Sequence, residues 1–179
     1  DIYRRLRDDG VPGKEIPQRI SDELDVSRIV TESAGGWDGG YAICGVIGNG
    51  DVFVMRDPHG IRPCHRLVTD EVVAYASERV PLMTVFEASQ QEVEELEPGV
   101  VATIKRDGTM SEERFAPPAE KRHCSFERIY FSRGNDPAIY QERKAMGAAL
   151  TEQVVDSIDG DFGAAVITFI PNTAETAWY

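Results

Sequence analysis

Apolar residues recur at every fourth position at Ile16, Ile20 and Leu24, which places them on one face of a helix. Asp25 can cap a second helix carrying Val26, Ile29 and Val30, which Gly35-Gly36 ends. Ahead of both, residues 1–10 make a short charged helix that Gly10, Pro12 and Gly13 stop. The pattern then turns β-like. Tyr41, Ile43, Val46 and Ile47 form one β-prone run, and Val52, Phe53, Val54 and Met55 form another. Asn49-Gly50 between them predicts a tight hairpin turn of the primed type, since both residues accept positive φ.

Arg66–Val68 and Glu71–Ala76 read as a strand pair turned at Thr69-Asp70, followed by Ser77-Glu78 and a short helix from Pro81 to Phe86. Val100–Lys105 and Met110–Phe115 read as a second hairpin around Asp107-Gly108. Between them, Glu87, Glu92, Glu94, Glu95 and Glu97 read as a solvated acidic face; acid–base catalysis needs a carboxyl buried enough to shift its pKa. Ala116-Pro117-Pro118-Ala119 is stiff and extended and marks a domain boundary. Beyond it, Phe126, Ile129, Tyr130 and Phe131 predict an aromatic strand, and Asp136-Pro137 opens a helix of about twenty residues. Gly160 to Gly163 breaks that helix. Ala164–Ile170 is a continuous apolar run, the pattern of a strand buried on both faces of a parallel sheet.

One loop stands out in this pattern: Arg56-Asp57-Pro58-His59-Gly60-Ile61-Arg62-Pro63. Its prolines fix φ, Gly60 permits a left-handed turn, and the two arginines and the aspartate can brace it with charge-assisted hydrogen bonds. It reads either as a binding loop for an anion or as a corner locking one sheet to its neighbour. The corner is favoured because nothing catalytic accompanies the loop.

Composition narrows the class. The 179 residues carry a net charge of −12, which argues against a nucleic-acid or anionic-membrane surface. Hydrophobic residues make up 41 %, enough for a packed core. No run reaches the ~18 apolar residues of a membrane span, and no signal peptide opens the chain. The first residue is Asp1, not Met, as expected of a fragment or a processed product. Three widely spaced cysteines, Cys44, Cys64 and Cys124, fit a reducing compartment better than a disulfide framework.

The stretch GGYAICGVIGNGDVFVMRDPHGIRP at 39–63 resembles the second half of the glutaminase domain of the amidophosphoribosyltransferase (glutamine phosphoribosylpyrophosphate amidotransferase) family. The resemblance runs on through VVAYASERV at 72–80, LEPGVVATIKRDG at 96–108, CSFERIYFSRGND at 124–136 and FIPNTAETAWY at 169–179. It implies an α+β fold. Residues 1–123 would be the later part of an N-terminal-nucleophile hydrolase sandwich of four αββα layers. Residues 124–179 would be the linker and the opening of an α/β phosphoribosyltransferase domain.

In that family an N-terminal cysteine attacks the side-chain amide of glutamine, and the ammonia is passed to phosphoribosyl pyrophosphate to give 5-phosphoribosylamine for purine synthesis. The resemblance implies a cytoplasmic, Mg²⁺-dependent homo-oligomer acting on these two small molecules. The nucleophile is not in this chain, so the chain alone is expected to be inactive. Arg56, Asp57, Gly60 and Arg62 are the motif residues, with a structural or inter-domain role. Tyr130 and Arg133 fall in the segment that crosses between the two active sites of the family. Cys124 aligns with a ligand of the [4Fe–4S] cluster found in one branch; it is one thiolate where four are required.

Asn172 and Thr173 match the turn nearest the diphosphate in the family. The Ser77-Glu78 segment packs under the family's glutaminase site, or is simply a strand end and helix cap. Ser21-Asp22-Glu23 matches the family's amino-group-binding motif poorly, and Asp22 is expected to be a solvated helix residue. Cys44 is expected in the core and Cys64 in a packing role, and His59, His65 and His123 on the surface. Two other readings stay open: another class II glutamine amidotransferase, and a non-catalytic regulatory or scaffold protein, for which Asp1 in place of cysteine is the support.

Overall fold

A computed structural model describes residues 1–117 and 119–179. The expected boundary at Ala116–Ala119 thus includes Pro118, which lies outside the described residues. The chain divides into two compact units, one of Asp1–Ser77 and Glu94–Arg122, the other of Glu78–Val93 and His123–Tyr179.

The first unit begins with helices α1 (Ile2–Asp8), α2 (Ile16–Glu23) and α3 (Val26–Ala34). Asp25 caps α3 by accepting from the Arg28 N–H at 2.8 Å. Seven strands follow in chain order: β1 (Ala42–Val46), β2 (Val52–Arg56), β3 (His65–Val68), β4 (Val73–Ala76), β5 (Val93–Glu95), β6 (Val100–Ile104) and β7 (Met110–Arg114). They form a four-stranded sheet in the order β1-β2-β6-β7 and a three-stranded sheet in the order β4-β3-β5.

Alternation sorts the four-stranded sheet into two apolar faces. On one face Met55 and Val101 lie close to the α3 residues Val26 and Val30 and to Phe115. On the other, Val54 and its direct partner Ala102 pack with Cys64, Leu96 and Val100. The sheet is therefore the middle layer between a helix and the residues flanking the second sheet.

The two hairpin turns share one construction. Gly50 N–H donates to the Ile47 carbonyl at 2.8 Å, and Gly108 N–H to the Lys105 carbonyl at 2.9 Å. In each, the preceding Asn or Asp side chain accepts from the backbone two residues on: Asn49 from Asp51 at 3.1 Å, Asp107 from Thr109 at 2.9 Å. Only the glycine of each turn takes positive φ, so the 47–51 connection is not the primed turn expected from Asn49-Gly50; it closes one residue wider.

Three further expectations change. Cys44 is exposed, because β1 is the edge of its sheet. His65 is buried, because it shares a face of β3 with Leu67, itself 1 % exposed. The acidic stretch is not a uniformly solvated face. It contains β5, and Val93 and Leu96 are buried.

The second unit holds α4 (Arg79–Val85), a π-helical turn at Glu127–Phe131, α5 (Pro137–Ser157) and α6 (Glu175–Trp178). Asp136 caps α5, accepting from Ala138 N–H at 2.9 Å and Ile139 N–H at 3.3 Å, and it pairs with Arg79 at 3.2 Å. The expected aromatic strand is instead the π turn. Ser132 N–H donates to the Glu127 carbonyl at 2.9 Å, five residues back. Buried Arg143 holds the turn by donating to the carbonyls of Arg128 at 3.2 Å and Ser132 at 2.7 Å. The Ala164–Ile170 run is not a buried strand either. It carries no regular secondary structure, with Val166 95 % and Ile170 83 % exposed. A parallel strand needs neighbours to pair with, and no ladder among the described residues includes it.

Candidate functional site: the Arg56–Pro63 corner

The corner begins as β2 ends. Arg56 and Asp57 are both buried, and backbone groups of the loop, of Tyr41 and of Leu96 take up both side chains. The Asp57 carboxylate accepts four N–H groups: His59 at 3.1 Å and Ile61 at 3.0 Å on Oδ1, Arg62 at 3.0 Å and Tyr41 at 3.3 Å on Oδ2. The Arg56 guanidinium donates to three carbonyls: Arg62 at 2.7 Å, Leu96 at 2.7 Å and Gly60 at 3.2 Å. Gly99 N–H reaches back to the carbonyls of Arg56 and Asp57 at 3.1 and 3.2 Å.

These bonds favour the corner reading. The loop is an anion nest, and its anion is its own Asp57. The Arg56 head donates to carbonyls of the loop and of Leu96, beside β5, and the anion it faces is the chain's own Glu95. Gly60 is required because its φ is +61° and a β-carbon there would lie 2.9 Å from Pro98.

Glu95 continues the network. Its carboxylate lies 3.5 Å from Arg56 and 3.1 Å from Lys121. Burial alone would push its pKa up; Arg56 and Lys121 outweigh that and hold it below the ordinary glutamate value.

A second clasp was not foreseen. Asp51, 1 % exposed, accepts from the Ser21 hydroxyl of α2, from Lys105 Nζ at 3.1 Å and from the Arg106 N–H at 2.9 Å. It ties α2 to both hairpin turns. Burial opposes its ionisation, but these donors win and bring its pKa to about 2. The available signal was the placing of Asp51 and Lys105 beside the two Asx-Gly turns. Asp22, the neighbour of Ser21, is exposed and bonds to Gln18 at 2.9 Å.

Comparison with known proteins adds the decisive observation. The amidophosphoribosyltransferase of Lachancea kluyveri is 33 % identical over 150 residues, covering 77 % of this chain and 29 % of that protein. That of Pasteurella multocida is 31 % identical over 169 residues, 86 % of this chain and 31 % of that protein. The chain is homologous to amidophosphoribosyltransferases. A further relative, from Saccharomyces cerevisiae, is 32 % identical over 77 % of the chain. The chain spans less than a third of the length of these relatives. No family model matches it.

The fold agrees. Glutamine phosphoribosylpyrophosphate amidotransferase from B. subtilis, solved with ADP and GMP, superimposes with a TM-score of 0.66 at 23 % identity, over 98 % of this chain and 39 % of that one. A structure described as the allosteric regulatory enzyme of purine biosynthesis gives 0.65 at 24 % identity, over 98 % and 38 %.

The remaining residues singled out by the amidophosphoribosyltransferase resemblance lie in the second unit. Tyr130 is 67 % exposed on the π turn, with its ring edge-on to Phe131 at 5.4 Å. The Arg133 N–H donates to Glu78 at 3.2 Å, and its guanidinium lies 3.5 Å from the same carboxylate. Glu78 occupies the N-cap position of α4 without capping it, and its carboxylate goes to Arg133 instead. Asn172 accepts from Glu175 N–H at 3.3 Å, at the entry to α6. Cys124 is partly buried. Among the described residues no group of three or more His, Cys, Asp or Glu side chains is arranged to hold a metal ion, and no helix is long and apolar enough to cross a membrane.

Proposed function

We propose that the full-length protein carrying this chain is an amidophosphoribosyltransferase. It releases ammonia from glutamine and transfers it to phosphoribosyl pyrophosphate, displacing pyrophosphate and giving 5-phosphoribosylamine, the first step of de novo purine biosynthesis. One observation carries the reading: relatives from two yeasts and a bacterium, matched over 77 to 86 % of the chain, bear that single name.

In this reading residues 1–123 are the later part of the glutaminase domain and residues 124–179 open the transferase domain. One of the passages between the two compact units, at Arg122–His123, falls beside that boundary, while Glu78–Val93 groups with the second unit. Arg56, Asp57, Gly60 and Arg62 form a rigid corner of the glutaminase part. Tyr130 and Arg133 help shape the route of ammonia. Mg²⁺ acts at the transferase site, where a hard cation suits the diphosphate oxygens of the substrate. Cys124 would supply one of the four thiolates that a [4Fe–4S] cluster needs, and no step is assigned to that group. The protein works in the cytoplasm as a homo-oligomer.

The test is an assay of the purified full-length protein with glutamine, phosphoribosyl pyrophosphate and Mg²⁺. Glutamate release matched by pyrophosphate release is expected. Glutamate release without consumption of phosphoribosyl pyrophosphate would point to another class II amidotransferase. Neither activity would leave the scaffold reading.

A further inference from the structure

The corner also grips the end of the first unit. Residues 120–122 are held at three points: His59 Nδ1 bonds the Glu120 carbonyl at 2.9 Å, Arg122 N–H donates to the His59 carbonyl at 2.9 Å, and Lys121 Nζ lies 3.1 Å from Glu95. The next residue, His123, opens the second unit. A carbonyl only accepts, so His59 Nδ1 carries the hydrogen and the ring is held in one tautomer.

The His59 ring is not needed by the corner itself. The four N–H groups on Asp57 and the three carbonyls on Arg56 are all backbone groups, and they fix the loop whatever side chain sits at 59. The ring takes that rigidity and applies it to the segment through which the chain leaves the glutaminase part.

We propose that His59 is a positioning residue that couples the two half-reactions, by fixing the 120–122 exit segment so that ammonia released in one part is used in the other. This rests on the amidophosphoribosyltransferase reading above. Coupling depends on the register of two sites, and a small displacement far from the chemistry is enough to degrade it.

The experiment compares wild type, His59→Ala and His59→Asn in the full-length protein. Three rates are measured: glutamate release, phosphoribosylamine formation from glutamine, and phosphoribosylamine formation from added ammonia. For His59→Ala the first and third should stay near wild type, while phosphoribosylamine formed per glutamate falls about fivefold, the weight of one hydrogen bond. Asn carries an amide N–H near the place of Nδ1–H and should restore the ratio. In parallel, trypsin should cut after Lys121 and Arg122 faster in His59→Ala than in the other two.

An unchanged ratio in His59→Ala would overturn the coupling role, as would an equal fall in all three rates, which is the signature of general destabilisation. A wild-type protein that makes no phosphoribosylamine from either nitrogen source would overturn the functional reading itself. The trypsin comparison would then still report on the anchor alone.

Discussion

The Ala177 carbonyl of α6 lies directly over Gly147 of α5, so close that a β-carbon on Gly147 would clash with its oxygen. Gly inside an exposed helix normally costs about 1 kcal/mol relative to Ala. Here the sign reverses, because backbone cannot move aside as a flexible side chain would. Gly147→Ala is expected to undock α6 and to lower stability by about 1–3 kcal/mol. Faster amide exchange over residues 174–179 and a changed Trp178 emission would report it; a raised melting temperature would contradict it.

Asp51 gives a pH dependence with a definite sign. Its carboxyl is brought from 3.8 to about 2 in the folded chain. A depressed pKa means the stabilisation is fully present above the unfolded value and is lost as pH falls through the folded one. Asp51→Asn should therefore cost about 2 kcal/mol at neutral pH. The gap between variant and wild type should close between about pH 4 and pH 2. Urea unfolding at stepped pH measures it, and a gap that widens toward acid would refute the assignment.

How far the sequence reaches can be judged element by element. The spacing of Ile16, Ile20 and Leu24, the cap at Asp25 and the Asx-Gly signals place α2, α3 and both hairpins close to where they form, because those signals are local. The 124–131 segment fails for the opposite reason. Its β-prone aromatics are overridden by Arg143, fifteen residues on from Arg128, which gathers the carbonyls of a π turn. Ala164–Ile170 reads as a buried strand, yet burial depends on neighbours that composition cannot supply. At the corner the residue types and their bracing role were legible and the partners were not: Arg56 donates to backbone carbonyls and Asp57 accepts from backbone N–H groups. The Ser21–Asp51 contact spans thirty residues, and only the Asp51 half of it was marked in the chain, by its place beside an Asx-Gly turn.

Cysteine reactivity follows from placement. Burial raises both thiols, Cys64 to about 11, but only Cys64 is removed from solvent, whereas Cys44 is exposed on the edge strand. A thiol needs both access and thiolate to react. Maleimide labelling of the native chain at neutral pH, followed by peptide mass spectrometry, should modify Cys44 and spare Cys64 until denaturant is added. Equal labelling of the two would mean that the inter-sheet layer is open.

The corner should fail by its acceptor, not by its charge. Asp57→Asn keeps size and shape but replaces one carboxylate oxygen with an amide that donates. Whichever way the amide turns, two of the four N–H groups on Asp57 lose their acceptor and face a donor instead. Each such loss at a buried site is worth about 1–3 kcal/mol, so the variant should be destabilised by about 2–5 kcal/mol. Asp57→Glu retains the charge, but its extra methylene has no space in a loop whose carboxylate is fully enclosed, and it should not rescue the fold. Chemical denaturation of both variants is the measurement. A stable Asp57→Asn protein with unchanged exchange at Ile61 and Arg62 would show that the nest does not need its anion.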